Sequence, residues 1–464
     1  MGSLNPALQC QQTAATQFGV FLQPSTSGEH GATVLTNAVV EQYDLLKHYS
    51  DGRIAREVLH QLSVFCPEAG FTLQAVQSIV RLGDNHAGAV VRALQELVNR
   101  DLLNQDNHAN CRYSLSKPIA VFANAHLDDK EAVASRFVDY YLQLIQRAHE
   151  TYLLGGARNI KEALEIFDTE RGQLDYAWGW MMNRSNLPLD ERFLCFTQYM
   201  TNIGHLRYHK RSERIPQLEM AAKIAETCGK TKIAADMLGY LGMAYADIGE
   251  EICAIEYYKQ SIKMAQKCSA RHCEGRVVGA LGLAYFGAGK FTKAKRLFLE
   301  QLAITHELGD RRLEVYALGG LGLYELAIKN YDRALSYFDR NFELASHPDL
   351  MHLRSQGYAL GGQALTRWHL GDTKGSIALF DKQLSIMVDI GDPRGTAHCS
   401  WNLGFLRTLE GLNDGIYQMH ECLEYETVIA DPQATESKNK IEQIEAGKMI
   451  DIVNTRWWKW PRRV

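Results

Sequence analysis

The sequence predicts an all-α chain: an α-solenoid of stacked helix pairs preceded by a small winged-helix domain. Two observations predict the solenoid. One phrase returns at a fixed step, as Leu241-Gly242-Met243-Ala244-Tyr245, Leu281-Gly282-Leu283-Ala284-Tyr285 and Leu321-Gly322-Leu323-Tyr324, each 40 residues after the last. It weakens at Gln363-Ala364-Leu365 and is clear again at Leu403-Gly404-Phe405. A fixed period of this size marks an array in which each unit is buried by its neighbours. The chain also holds only 10 prolines in 464 residues, as a mostly helical chain requires.

Apolar residues make up 46% and charged residues 22%, the balance of a folded globular chain. A formal net charge of -4 argues against a general nucleic-acid binder. The 10 cysteines are scattered without a CxxC pair, so they read as reduced, small apolar side chains in a cytoplasmic setting. No apolar run reaches the roughly 20 residues of a membrane span, and no secretory leader is visible.

In chain order, residues 1–37 are rich in Gln, Thr, Ser and Gly and read as a flexible leader. Residues 38–127 alternate helical and turn patterns. Ile54, Val58, Leu59 and Leu62 share a face; Thr72 can cap the helix of Val76, Ile79 and Val80; Val90, Val91, Leu94 and Leu97 mark a third helix. Leu102-Leu103, a polar turn and Arg112-Tyr113-Ser114-Leu115 then read as a short hairpin, which completes a winged helix. Residues 128–188 carry long amphipathic helices broken at Gly155-Gly156. Residues 189–432 hold the repeats, and 433–464 add one more helix and a basic, Trp-rich tail.

The phrases Leu62-Ser63-Val64-Phe65, Gly70-Phe71-Thr72-Leu73, Ala93-Leu94-Gln95-Glu96-Leu97-Val98 and Arg112-Tyr113-Ser114-Leu115 resemble the winged-helix module of bacterial STAND-type regulators (NB-ARC, AfsR and MalT-like). Arg136-Phe137-Val138-Asp139-Tyr140-Tyr141-Leu142 and Glu170 to Trp178 are similar to the helical linker of those proteins. The repeats resemble the 40-residue tetratricopeptide repeat of the Pins/LGN type. The family's NTPase core has no counterpart: no G-x-x-x-x-G-K-[ST] loop occurs, and Gly287-Ala288-Gly289-Lys290 falls in a helix–helix turn. ATP-driven switching is therefore not expected of this chain, and no cofactor is.

The resemblance places a partner groove on the concave face, lined by the first helix of each repeat. By register it assigns positions six and three before the repeat glycine and one, four and five after it. The candidates selected from these positions are Arg276, Phe286, Tyr316, Tyr358, Trp368, His369, His398, Trp401 and Phe405. Aromatic and arginine anchors are what peptide-binding hot spots use, although aromatics at helical spacing also pack as core. A second candidate is the tail, where Arg456, Trp457, Trp458, Lys459, Trp460, Arg462 and Arg463 suit an anionic membrane surface or acidic partner, or cap the open end of the solenoid.

No catalytic constellation and no metal site is read. His205 and His209 lie four apart on a helix without a third ligand. The presumed reading helix, about 87–100, carries Arg92 and Arg100 beside Glu96, too sparse a basic face for a groove reader. The expected function is a non-enzymatic scaffold or signalling regulator that holds a peptide or helix of a protein partner. The alternatives are a DNA-binding regulator with a peptide-sensing array, or one half of a split STAND switch.

Overall fold

The computed structural model describes residues 39–447 apart from 50, 68, 83–86, 107–110, 183–190, 413, 429–430 and 432. The tail residues Arg456 to Arg463 lie outside the described residues. The chain is all-α and divides into two compact units: residues 1–148 with 164–199, and residues 149–163 with 200–464.

The first unit contains α1 (Gly52–Leu62), α2 (Leu73–Ile79), α3 (Ala87–Asn99), the antiparallel ribbon β1 (Asn104–Gln105) and β2 (Tyr113–Ser114), and α4 (Lys117–Ala125). Phe71 bridges to Tyr113, which adds a third short strand position to the ribbon. Thr72 caps α2, its Oγ1 accepting from Ala75 N at 3.2 Å. Leu59, Leu62, Phe65, Phe71, Leu94 and Leu97 are fully buried and form the centre of this unit. Two long helices follow, α5 (Lys130–Leu154) and α6 (Ala157–Met182). They break at Gly155 and Gly156, both at positive φ, which only glycine adopts freely. Within this unit Arg112 pairs with Glu170 at 2.5 Å, and the Gln173 amide bonds Ala69 O at 2.9 Å. The residues 128–188 expected as one linker are thus shared between the units, with the turn region 149–163 in the second.

The second unit is a solenoid of tetratricopeptide repeats. An irregular entry passes from α7 (Glu191–Tyr199), which closes the first unit, through α8 (Thr201–Arg207), a π turn (Lys210–Arg214) and α9 (Ile215–Thr227). Five helix pairs follow among the described residues: α10 (Thr231–Asp247) with α11 (Glu251–Lys267), α12 (Arg271–Gly287) with α13 (Phe291–Leu308), α14 (Arg311–Ala327) with α15 (Tyr331–Ser346), α16 (Leu353–His369) with α17 (Thr373–Asp389), and α18 (Pro393–Leu409) with α19 (Gly415–Val428). The helix α20 (Ala434–Glu445) covers the end.

The glycines at 242, 282 and 322 share one physical cause. In the second and third repeats the second helix inserts a ring between two first helices, whereas Gly404 of the fifth faces the Gly415 carbonyl and Met419. A Cβ at Gly282 or Gly320 would sit 2.6 or 2.5 Å from the Phe298 ring, and one at Gly322 or Gly362 would sit 2.6 or 2.4 Å from the Phe338 ring. Tyr258 fills the same place against Gly242. Ala254, Ala294 and Ala334, all at 0% exposure, let the partner helix approach equally closely. Gly362→Ala should therefore cost about 1–3 kcal/mol by forcing Phe338 off its site, the scale of an overpacked core. A chemical-denaturation midpoint checks this; an unchanged midpoint would show that the ring yields freely.

Candidate functional site

The first helices of successive repeats stand side by side, so residues at one helical position form a row along the array. The sixth position of α10, α12, α14, α16 and α18 gives Asp236, Arg276, Tyr316, Tyr358 and His398. The second position gives Lys232, His272, Arg312, Arg354 and Arg394, a basic row down the array.

Neighbouring repeats answer one another with charge. Arg276 Nη2 lies 2.7 Å from Asp236 Oδ1, and its guanidinium stacks 4.0 Å above the Tyr240 ring. His272 Nε2 lies 3.0 Å from Asp310, and Arg354 Nε lies 3.1 Å from Asp392. Asp310 and Asp392 also cap α14 and α18, accepting from Leu313 N at 3.0 Å and Gly395 N at 3.0 Å. Tyr358 donates to Asp392 at 3.4 Å. Asp247, at the end of α10, meets Arg394 of the fifth repeat at 2.6 Å and also faces Lys210 at 3.8 Å and His205 at 3.4 Å. The arginine side chains are surrounded by protein yet wet: Arg276 is 15%, Arg354 23% and Arg394 16% exposed.

Titration follows from this setting. Burial raises the Tyr316 hydroxyl to about 12, offset in part by Arg354. The Tyr316 hydroxyl and His352 Nε2 are 3.1 Å apart, and His352 Nδ1 lies 2.8 Å from Ser355 Oγ. Burial, then the charges of Arg354 and Arg312, push His352 down to about 3. A histidine depressed below its unfolded value costs stability once the unfolded chain protonates, so the loss begins as pH falls through about 6.5 and grows towards 3. At pH 5 this site should cost about 2 kcal/mol, and His352→Gln should remove that part of the acid sensitivity. Denaturation midpoints at pH 7 and 5 test it; parallel losses in both proteins would refute it.

The register assignment needs correction at two of its five positions. The position three before the glycine faces the second helix, not the channel: a Cβ at Gly279 would fall 2.2 Å from the Gln301 amide, and one at Gly361 2.7 Å from that of Gln383. The position one after it is core in four of the five repeats, with Leu283, Leu323, Leu365 and Phe405 all buried, while Met243 of the first repeat is half-buried with its sulfur 3.7 Å from Arg276 Nη1. Trp401, at 0%, and Phe405, at 1%, are therefore not groove anchors; they pack with Met419, Cys422 and Ile441 under α20. His398 is buried at the channel wall. Phe286 is half-buried against Phe291, ring centres 5.2 Å apart, and His369 stacks on Tyr331 at 5.5 Å beside Trp368. These three lie near the helix ends. Arg276, Tyr316 and Tyr358 hold the sixth position of consecutive first helices, the first two half-buried and Tyr358 buried. Elsewhere, His209 Nδ1 accepts from Ser212 N at 3.2 Å, a turn-capping role, while His205 faces Asp247.

The basic row at the second helical position was missed. A search at the 40-residue step finds His272, Arg312 and, after 42 residues, Arg354, then Arg394 at 40 again.

No family model and no curated protein matches the sequence. Among solved structures, the chain is similar to a STAND protein with a tetratricopeptide-repeat sensor from Pyrococcus horikoshii, at 13% identity and a TM-score of 0.45, over 96% of this chain and 70% of that one. It is similar to a Rap protein complexed with Competence and Sporulation Factor, at 13% identity and a TM-score of 0.45, over 68% of this chain and 98% of that one. It is also similar to a tetratricopeptide repeat protein from Parabacteroides merdae, at 16% identity and a TM-score of 0.37, over 62% and 98% of the two chains.

Proposed function

We propose that this protein is a non-catalytic docking protein whose repeat array holds a peptide or helix of a protein partner in its concave channel. One observation carries the reading. Arg276, Tyr316, Arg354 and Tyr358 come from consecutive repeats and line one continuous wall, which the three arginines Arg276, Arg354 and Arg394 leave partly wet. Side chains of this kind, enclosed by protein on most sides, suit an elongated chain with regularly spaced polar groups. The paired carboxylates fix the arginines in place before any partner arrives, which lowers the ordering cost of binding.

The first unit reads as a winged-helix-like second docking surface, supported by its order of helix, bridge, two helices and ribbon. On the helix that would read bases, the exposed Arg92 pairs with Asp51 at 2.9 Å and the largely covered Arg100 with Glu96 at 2.7 Å. That favours protein docking over base reading. A cytoplasmic location is part of the same proposal; no helix among the described residues is long and apolar enough to cross a membrane.

The test is selection of displayed peptides on the immobilised full chain. Arg354→Gln with Tyr316→Phe should weaken the selected peptide at least about tenfold, the scale of losing a charge-assisted contact, when measured well below the melting point of each protein, because Arg354→Gln also leaves Asp392 without its cation. Binding that survives these changes would overturn the reading.

A further inference from the structure

The channel already has an occupant. The turn between α5 and α6 belongs to the second unit and reaches the middle of the array. Gly156 N donates to Met351 O at 3.3 Å, and Arg312 donates through Nη2 to Leu153 O. The Tyr152 hydroxyl lies close enough to Tyr316 and Arg354 to perturb both electrostatically. The approach requires glycine: Gly155 has φ +73, and a Cβ there would sit 2.7 Å from Met351 O.

The turn meets the array at a defect in its charge pattern. In two repeats the second-position base is answered by the acid capping the next first helix, His272 by Asp310 and Arg354 by Asp392, while the cap that follows Lys232 is Ala270. For Arg312 the corresponding cap is His352, which is neutral and already engaged with Tyr316 and Ser355. Among the described residues no carboxylate pairs with Arg312; a single backbone carbonyl takes its place. A neutral carbonyl leaves the guanidinium's charge unanswered, whereas a carboxylate supplies two parallel acceptors and the opposite charge.

The hold is also weak. Leu153 and Leu154 remain 37% and 69% exposed, so of the turn's large side chains only the half-buried Tyr152 contributes apolar area where it docks. Met351, which accepts the Gly156 bond, sits at φ 40, a left-handed conformation that costs a residue with a side chain.

We propose that the turn Tyr152–Gly156 is a displaceable stand-in ligand, and that the partner is an acidic peptide segment whose side-chain carboxylate takes Arg312 and expels the turn. This rests on the reading of the channel as a peptide groove. Arg354 and Arg394 are already answered by Asp392 and Asp247, so Arg312 is the anchoring contact for the acidic side chain.

Hydrogen exchange and binding on the full chain test the inference, with an N-acetylated, C-amidated oligoglutamate as probe and the matching oligoglutamine as control. Oligoglutamate should bind, and should speed exchange of the amides at 152–157. Gly155→Val, which keeps the turn out of the channel, should tighten that binding about tenfold by removing the competing closed state. Arg312→Gln should weaken it about tenfold, and Arg312→Lys should restore part of the loss. Oligoglutamate that does not bind, that binds without releasing the turn, or that ignores Arg312→Gln would overturn the proposal, as would equal binding of oligoglutamine. If the display-selected peptide still depends on Arg354 and Tyr316 in that case, only this inference falls; if it does not, the groove reading falls too.

Discussion

Trp401→Ala is expected to destabilise the C-terminal repeats by about 3–5 kcal/mol, the range for emptying a buried tryptophan site. The ring is at 0% exposure, packed with Phe405, Met419 and Cys422 and covered by Ile441 of α20. Stability in a repeat array is close to a sum of units and interfaces, so the loss need not spread to the first repeats. Hydrogen exchange should quicken in α18, α19 and α20 while α10 to α13 keep their protection. The selected peptide should lose affinity only as far as the fourth and fifth repeats loosen. A protein that melts normally but fails to bind would return Trp401 to the groove and invert the assignment.

That contrast marks how far the chain could be read without its structure. The Leu-Gly phrase was legible because packing is local and repeated: each ring at 258, 298 and 338 imposes the same demand on the glycine facing it. The break at Gly155-Gly156 was legible because two adjacent glycines end helices. The faces were less so. The position three before the glycine holds Gly279, Gly319 and Gly361 but Trp401 in the last repeat, so an aromatic there looks like an anchor when read by analogy. What fixes it as core is α20, a helix from outside the repeats. The basic row was hidden differently. It mixes Lys, His and Arg, and one step of 42 residues interrupts the period of 40.

The docked turn had no signal at all. Its partners Arg312 and Met351 are distant in sequence, and its contacts run largely through backbone carbonyls, which no side-chain pattern encodes. The caps at this place are Ala270, Asp310, His352 and Asp392, so the missing acid at 352 is not by itself distinctive.

The second large effect concerns the carboxylate that joins the first repeat to the fifth. Asp247→Leu should destabilise the array by about 3–5 kcal/mol, because it leaves Arg394 and Lys210 enclosed without their acid. Most of that cost is the stranded charge rather than the lost bond. Asp247→Leu with Arg394→Leu should therefore cost clearly less than the sum of the single changes, with a coupling of about 1–3 kcal/mol in the double-mutant cycle. The same variants separate a clamp from a ligand site. If Asp247 only secures Arg394, freeing the guanidinium destabilises the array and gains nothing for an acidic peptide. If Arg394 belongs to the basic row that Arg312 begins, oligoglutamate binds Asp247→Leu more tightly than wild type and lifts its melting temperature, since a bound anion restores the missing charge. Additive single and double changes, with no response to oligoglutamate, would show that the pair is neither coupled nor part of the row.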